Sequence, residues 1–160
     1  RMRPLMVGGG QEKKRRPGTQ NVSGIVGFAA AAKIASQNRA ADTQRMMELR
    51  DHLIARVVSE IDGVRLNGHA EKRLCNNVNI NVLNARAEIL LHALEKHGVI
   101  VSSGSACHSG QTGPSHVLRA IGCTEKDTGC LRITLSRHST KEHVDTCANA
   151  LKTVVESARI

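Results

Sequence analysis

A single cysteine, Cys107, stands in the segment SSGSACHSGQTG (residues 102–113), in which most residues are small or favour turns. Such a composition predicts an exposed, mobile loop, and loops of this kind often carry functional residues. A free thiol has a pKa of ~8.5, which a neighbouring cation lowers, and His108 follows the cysteine directly. The pattern indicates a mobile nucleophilic thiol; an ordinary loop cysteine fits it as well.

A second candidate is the glycine-rich segment GGGQEKKRRPGTQN (residues 8–21). Consecutive glycines permit positive φ and a close approach of the backbone to a ligand. The basic run and the hydroxyl of Thr19 add cations and a hydrogen-bonding group, so the segment could hold a phosphate. Its spacing matches neither the dinucleotide-binding nor the P-loop pattern.

The third candidate is Arg132, in the segment LRITLSR (residues 131–137). Alternating apolar and polar residues predict a strand that places Arg132 on the face opposite Ile133 and Leu135. An arginine beside a core layer is usually an edge residue in a salt bridge. A guanidinium can also bind a carboxylate through two parallel hydrogen bonds, and both interpretations remain open at this point.

The elements that must position these residues follow from hydrophobic periodicity. Strands are predicted over 64–66, 76–83, 99–102 and 130–137. Helices are predicted from residue 22, over 46–61, over 85–97, over 114–121 and from Ser139 onward, the last with Glu142 completing a capping box. The resulting fold class is α/β, a small sheet with helices packed on it.

Length and composition limit the remaining possibilities. The 160 residues correspond to about one domain, and no apolar run approaches the ~20 residues of a membrane span. The formal charge is +9, and residues 13–16 are all basic, as in many nucleic-acid-binding proteins. No aromatic residues alternate with these cations for base stacking, so a solvated basic face is the favoured interpretation, and no nucleic acid or membrane partner is predicted.

Cysteine usage points to a reducing compartment. The five cysteines are an odd number and include no C-x-x-C pair, which argues against a disulfide framework. Their spacing relative to the histidines matches no zinc pattern, and no metal site is predicted. Cys75, Cys130 and Cys147 precede, begin or line predicted elements and are interpreted as structural.

Three segments, in this order, resemble the cysteine desulfurases and the related selenocysteine lyases. They read GGGQEKKRRPGTQNVSGIVG, VSSGSACHSGQTGPSHVLRAIG and LRITLSRHSTKEHVD, and the likeness extends over essentially the whole chain. The resemblance implies a homodimeric fold-type-I enzyme that uses pyridoxal 5'-phosphate to take sulfur from L-cysteine, leaving alanine. It also implies a sulfur-acceptor or iron–sulfur scaffold protein as partner. Residues 1–40 would then end the large cofactor-binding domain, and residues 41–160 would form the small C-terminal domain with the catalytic cysteine loop.

The same resemblance implies roles for three residues. Cys107 would be the catalytic cysteine, which attacks the substrate sulfur and holds it as a persulfide. Thr19 would hydrogen-bond the cofactor phosphate, in this family across the dimer interface, and Arg132 would bind the substrate carboxylate. A loop rich in glycine and serine lets the thiol reach the cofactor and then deliver the sulfur.

One departure from the family concerns the lysine that forms the Schiff base. In the family this lysine lies upstream of the three glycines, whereas Lys13 and Lys14 follow them. The chain is therefore interpreted as the C-terminal portion of the enzyme, and we expect it to be inactive alone. The location is expected to be cytoplasmic, with a mitochondrial one also open.

Two substrates and two further function classes remain as alternatives. GSAC and the SR of residues 136–137 resemble the desulfurases of iron–sulfur cluster assembly, whereas ACHS and RPGT resemble the selenocysteine lyases. We favour the desulfurase. A basic nucleic-acid-binding module would instead bind with a steep salt dependence, and a non-catalytic dimerisation domain would form no persulfide.

Overall fold

The computed structural model describes residues 3–103, 115–124 and 129–157. The chain divides into two compact units, residues 1–39 and 40–160. The assignment of the first to a large domain and of the second to a small domain remains a prediction. Within the described ranges, no helix combines the length and the apolar character needed to cross a membrane.

The first unit begins with the glycine-rich segment, which contains a short helical turn, α1 (Gln11–Lys14). Glu12, Lys13 and Lys14 all have positive φ, at 50°, 55° and 62°. Residues other than glycine rarely adopt this left-handed backbone conformation, because Cβ then approaches the following carbonyl oxygen. The Glu12 carboxylate accepts a hydrogen bond from Arg16 Nη2 at 3.4 Å, which closes the turn onto the residues that follow.

The long helix α2 (Val22–Glu60) replaces the two separate helices that the sequence predicted. Asn21 caps its start, because Oδ1 accepts a hydrogen bond from Gly24 N at 3.0 Å. Neither glycine nor proline occurs between Phe28 and Asp62, so nothing in the backbone ends the helix where its apolar stripe fades. The prediction of a break was therefore wrong.

Several apolar side chains on the first part of α2 face away from any packed layer of their own unit. The exposed fractions of Ile25, Val26 and Phe28 are 59%, 63% and 78%. These three side chains form the exposed apolar segment of the first unit.

The second unit is built on a four-stranded antiparallel sheet of order β1-β2-β4-β3. Its strands are β1 (Val64–Leu66), β2 (Asn77–Val82), β3 (Ser102–Ser103) and β4 (Cys130–Thr134). The predicted strand over 99–102 joins the sheet only from Ser102 onward, and Ile100 is 83% exposed. β4 ends three residues earlier than predicted, but its alternation is as predicted, with Ile133 buried and Arg132 exposed.

Helices cover one face of this sheet, as the α/β prediction required. α3 (Ala87–Lys96) and α5 (Lys141–Ser157) pack with the second half of α2 over the apolar face of the strands. Among the described residues, the core side chains that are fully excluded from solvent are Leu53, Val57, Val78, Ile80, Leu90, Leu94, Leu131 and Leu151. Because this layer covers one face of the sheet, a functional site has to lie on the other face.

Gly129, immediately before β4, makes a very close backbone approach to β2. Val82 N donates a hydrogen bond to Gly129 O at 3.1 Å. An added Cβ on Gly129 would lie 2.1 Å from Val82 O and 3.2 Å from Ala85 O. No side chain fits there, so glycine is required for β4 to pair with β2 in this register.

The start of α5 is capped one residue later than predicted. Thr140 Oγ1 accepts a hydrogen bond from His143 N, and His143 Nδ1 accepts one from Thr140 N, both at 3.3 Å. The reciprocal pair is therefore Thr140 with His143 rather than Ser139 with Glu142. The Ser139 hydroxyl instead accepts from a backbone N–H in the preceding turn, at 3.0 Å.

An ion cluster joins the second half of α2 to α5. Asp145 Oδ1 lies 2.7 Å from His52 Nε2 and accepts a hydrogen bond from Arg56 Nη1 at 3.1 Å. Arg56 also pairs with Glu60 at 2.8 Å. The hydrogen bond with His52, followed by that with Arg56, holds the pKa of Asp145 below its ordinary value.

Candidate functional site

The sheet face opposite α2, α3 and α5 carries a row of polar side chains across three strands. Ser102 of β3 is the register partner of Arg132, and Asn79 of β2 is the partner on its other side. Directly opposed residues in antiparallel strands point to the same face. The row Ser102–Arg132–Asn79 therefore lies across the middle of this face.

Arg132 has a neutral partner in this row. Its Nη2 donates a hydrogen bond to Ser102 Oγ at 3.3 Å, and the guanidinium is exposed. In residues 3–103, 115–124 and 129–157 no carboxylate pairs with Arg132. Its charge is thus directed to solvent on the polar face, as a group that binds an external carboxylate requires.

Asn79 is held in place by a buried neighbour. Asn67, which is 5% exposed, donates from Nδ2 to Asn79 Oδ1 at 2.8 Å. The two residues are also joined through their backbones, since Asn67 N donates to Asn79 O at 2.9 Å. The polar side chain of Asn79 is therefore held in place beside Arg132.

The segment that carries Cys107 lies outside the described residues, but the chain on each side of it is described. Before the segment, the chain runs through β3, next to Arg132. After it, Ser115 caps α4 (His116–Ala120), two residues later than the predicted start. Leu118 of α4 is buried in one cluster with Cys130, which shares the face of Arg132 because residues two apart on a strand point the same way. Both sides of the segment thus connect to the polar face.

Thr19 belongs to the first unit, separate from the unit of Arg132. It follows Gly18, whose φ is +99°, and its side chain is exposed. The Arg16 guanidinium donates to the carbonyl oxygen of Pro17 at 3.2 Å, so this cation lies beside the Thr19 loop. The same guanidinium also pairs with Glu12 at 3.4 Å, so the exposed Thr19 hydroxyl is the main group that this loop offers to a phosphate.

The other cysteines occupy structural positions. Cys123, Cys130 and Cys147 are buried and Cys75 is half-buried, all as free thiols. Burial raises the pKa of Cys147 to about 11, which keeps its thiol protonated and unreactive near neutral pH. Cys147 is thus a core residue of α5, as predicted.

The sequence reasoning did not identify Ser102, Asn79 and Asn67 as part of the site. The prediction placed Arg132 on the correct face of its strand. It gave no strand order, however, and Ser102 lies 30 residues before Arg132 in the chain. No local spacing carries a signal for a pairing at that separation.

The chain is similar to several known proteins over almost its whole length. The profile of the family described as aminotransferase class-V matches residues 2–147. Cysteine desulfurase IscS 1 of Archaeoglobus fulgidus is 42% identical over 99% of the chain, and cysteine desulfurase 2 of Trichormus variabilis is 41% identical over 99%. The chain covers 42% and 40% of these two proteins, so it spans about two fifths of the length of the curated relatives it matches.

Two solved structures share the fold. One, described as a NifS-like protein, superimposes with a TM-score of 0.81 at 32% identity and covers 97% of the chain and 39% of its own. The NifS-like protein from Rickettsia africae gives 0.80 at 28% identity, over 98% and 41%. These likenesses confirm the predicted fold class.

Proposed function

The chain belongs to the aminotransferase class-V family, and from this premise we propose that it is the C-terminal part of a cysteine desulfurase dependent on pyridoxal 5'-phosphate. The substrate is L-cysteine, and the products are alanine and a persulfide on Cys107. The observation that carries the proposal is the exposed Arg132, whose hydrogen-bond partner is a neutral hydroxyl. Arg132 lies on the sheet face that the chain contacts both before and after the Cys107 segment.

In this proposal Arg132 binds the substrate and orients it. Two parallel N–H groups of its guanidinium hold the carboxylate of L-cysteine. The amino acid is then fixed at one end, which limits the positions that its thiol can take. Holding the reactants in one geometry in this way removes much of the entropic cost of the reaction.

Cys107 is the acceptor of the sulfur atom. Its thiolate forms an S–S bond with the substrate sulfur while the carbon–sulfur bond of the substrate breaks. The bonding electron pair stays with the substrate carbon, which takes up a proton and becomes the methyl group of alanine. When bound, pyridoxal phosphate supplies the electron sink that makes this negative charge tolerable. The terminal sulfur of the persulfide then passes to the thiolate of a sulfur-acceptor or iron–sulfur scaffold protein.

Thr19 holds the cofactor phosphate in this proposal. Its exposed hydroxyl would donate to a phosphate oxygen, and the guanidinium of Arg16, which also pairs with Glu12, would add part of the positive charge. Because the family places this contact across a dimer interface, the proposal includes a homodimer. The 160-residue chain alone is then expected to be inactive.

L-Cysteine is favoured over L-selenocysteine as substrate. The two relatives described above are named cysteine desulfurases, and each matches over 99% of the chain. A comparison of kcat/KM for the two amino acids tests this choice, with the higher value expected for L-cysteine.

The nucleophile is tested by Cys107→Ser in the intact enzyme. We expect alanine formation and sulfur transfer to be lost while the absorbance of the bound cofactor is kept. Cys75→Ser, which changes a half-buried thiol, is the matched control and should retain activity. Mass spectrometry of the parent protein should find one additional sulfur atom on Cys107, and full activity of Cys107→Ser would contradict the proposal.

A further inference from the structure

We propose that Ser102 is a positioning residue for the substrate: its hydroxyl holds the Arg132 guanidinium in the orientation that receives a carboxylate. The inference rests on the proposed role of Arg132 and adds a second residue to the same site. Ser102 touches neither substrate nor cofactor in this account, and it acts through Arg132.

The hydrogen bonds of Ser102 define how its hydroxyl is oriented. Oγ donates to Ser103 O at 3.2 Å, which uses its single proton. Its lone pairs are then left as acceptors, and Arg132 Nη2 donates to one of them at 3.3 Å. The hydroxyl is therefore an acceptor toward Arg132 rather than a competing donor.

The opposite side of Arg132 is bounded as well. Asn79 is the register partner of Arg132 on β2, and the buried Asn67 fixes its amide through a hydrogen bond of 2.8 Å. β4 lies between β2 and β3, so the Arg132 side chain has a hydrogen-bond partner on one side and a fixed amide on the other. Fewer rotamers are therefore available to it. An exposed arginine without such neighbours would have to be ordered by the substrate itself.

The bond to Ser102 leaves enough donors for the substrate. A guanidinium has five N–H groups in a planar fork, and Ser102 occupies one of them on Nη2. The remaining groups can still form a two-point contact with a carboxylate. Since the hydroxyl is neutral, it orients the guanidinium without cancelling the charge that attracts the substrate.

The location of Ser102 favours the same interpretation. β3 consists of Ser102 and Ser103 alone, and the segment with Cys107 follows it directly. The residue that orients the carboxylate-binding group thus also begins the chain segment that carries the proposed nucleophile. In this proposal, β3 helps to position the substrate and is also the strand from which the segment with the nucleophile continues.

The test is steady-state kinetics of Ser102→Ala in the intact enzyme. Losing one exposed hydrogen bond of ordinary strength should raise KM for L-cysteine by about 3- to 10-fold, with kcat changed by less than about 2-fold. Ser102→Thr keeps the hydroxyl and should restore KM toward the parent value. Ser103→Ala is the matched control, because it removes the neighbouring hydroxyl while leaving the backbone oxygen that Ser102 uses, and it should leave KM unchanged.

A second measurement isolates the carboxylate. L-Alanine has the carboxylate of the substrate, whereas cysteamine has its amine and thiol without the carboxylate. Ser102→Ala should raise the inhibition constant of L-alanine and leave that of cysteamine unchanged. Equal effects on both ligands, or a fall in kcat with KM unchanged, would overturn the positioning role.

Arg132→Gln distinguishes a failure of this inference from a failure of the proposed function. If Arg132→Gln leaves KM for L-cysteine unchanged, Arg132 does not bind the carboxylate and both proposals fail. If Arg132→Gln raises KM strongly while Ser102→Ala does not, only the positioning role of Ser102 is wrong. Urea unfolding of each variant verifies that the kinetic changes occur in folded protein.

Discussion

Arg132 differs from two other arginines of the second unit in the charge of its partner. Arg50 and Arg56 both pair with carboxylates at 2.8 Å, those of Asp51 and Glu60, and these ion pairs serve the fold. Arg132 instead bonds a serine hydroxyl. At the scale of single residues, a cation kept beside a neutral group is the feature that separates the candidate site from the structural ion pairs.

The cysteines should also separate chemically. With a pKa of about 11, only on the order of one Cys147 thiol in a thousand is ionised at pH 8, and the side chain is buried. We therefore expect iodoacetamide to modify Cys147 much more slowly than the half-buried Cys75 in the folded chain. Peptide mass spectrometry after timed quenching measures both rates. Unfolding in urea should make them similar, whereas similar rates in the folded chain would contradict the buried position.

At the scale of elements, α2 and α5 are held together by apolar packing and by the ion cluster around Asp145. The Asp145 carboxylate on α5 accepts hydrogen bonds from two residues of α2, His52 and Arg56. Ionised Asp145 therefore adds an electrostatic contribution to the apolar packing of α5 on α2.

Asp145→Asn should therefore destabilise the chain in a pH-dependent way. Because the folded-state pKa lies below the ordinary 3.8, the contribution of Asp145 is present above that pH and is lost as pH falls through the folded pKa. The variant should unfold at a lower urea concentration than the parent near pH 7, and this difference should shrink at about pH 2. Glu71→Gln, in an exposed position, is the control; an equal difference at both pH values would contradict the prediction.

The close contact between Gly129 and β2 yields a prediction for the sheet. Gly129→Ala would place a methyl group 2.1 Å from Val82 O, so the backbone must move and the pairing of β2 with β4 must weaken. We expect a loss of about 2 kcal/mol or more in the free energy of unfolding. Gly27→Ala, where an added Cβ meets nothing within 4 Å, should be neutral or stabilising in the same urea titration. A neutral Gly129→Ala would show that the strands can separate without cost.

At the scale of the whole molecule, the sequence predicted what depends on local periodicity. Alternation placed Ile133 in the core, and the helical stripe placed Leu90 and Leu94 there. The join between the two predicted front helices was missed, because the polar middle of α2 has no stripe and only the lack of glycine and proline signals continuity. The strand order was missed because the pairing of Ser102 with Arg132 depends on contacts distant in sequence.

The exposed apolar segment of the first unit gives a prediction for the isolated chain. Phe28 is 78% exposed, and such surface binds hydrophobic dyes and promotes association. Phe28→Glu should lower the fluorescence of bound anilinonaphthalene sulfonate. Ser36→Glu adds the same charge at an exposed polar position of the same helix and should lower it much less; equal reductions would mean that charge alone is responsible.

The left-handed turn at residues 12–14 has an evolutionary consequence. Each of these three side chains accepts a conformation that costs roughly 1 kcal/mol, and glycine would avoid that cost at the expense of a more flexible unfolded chain. If the three codons were randomised and the resulting library were heated before screening, surviving clones should be enriched in glycine. Such enrichment would mean that the natural residues at 12–14 lower the thermal stability of the chain, and that glycine at these positions raises it.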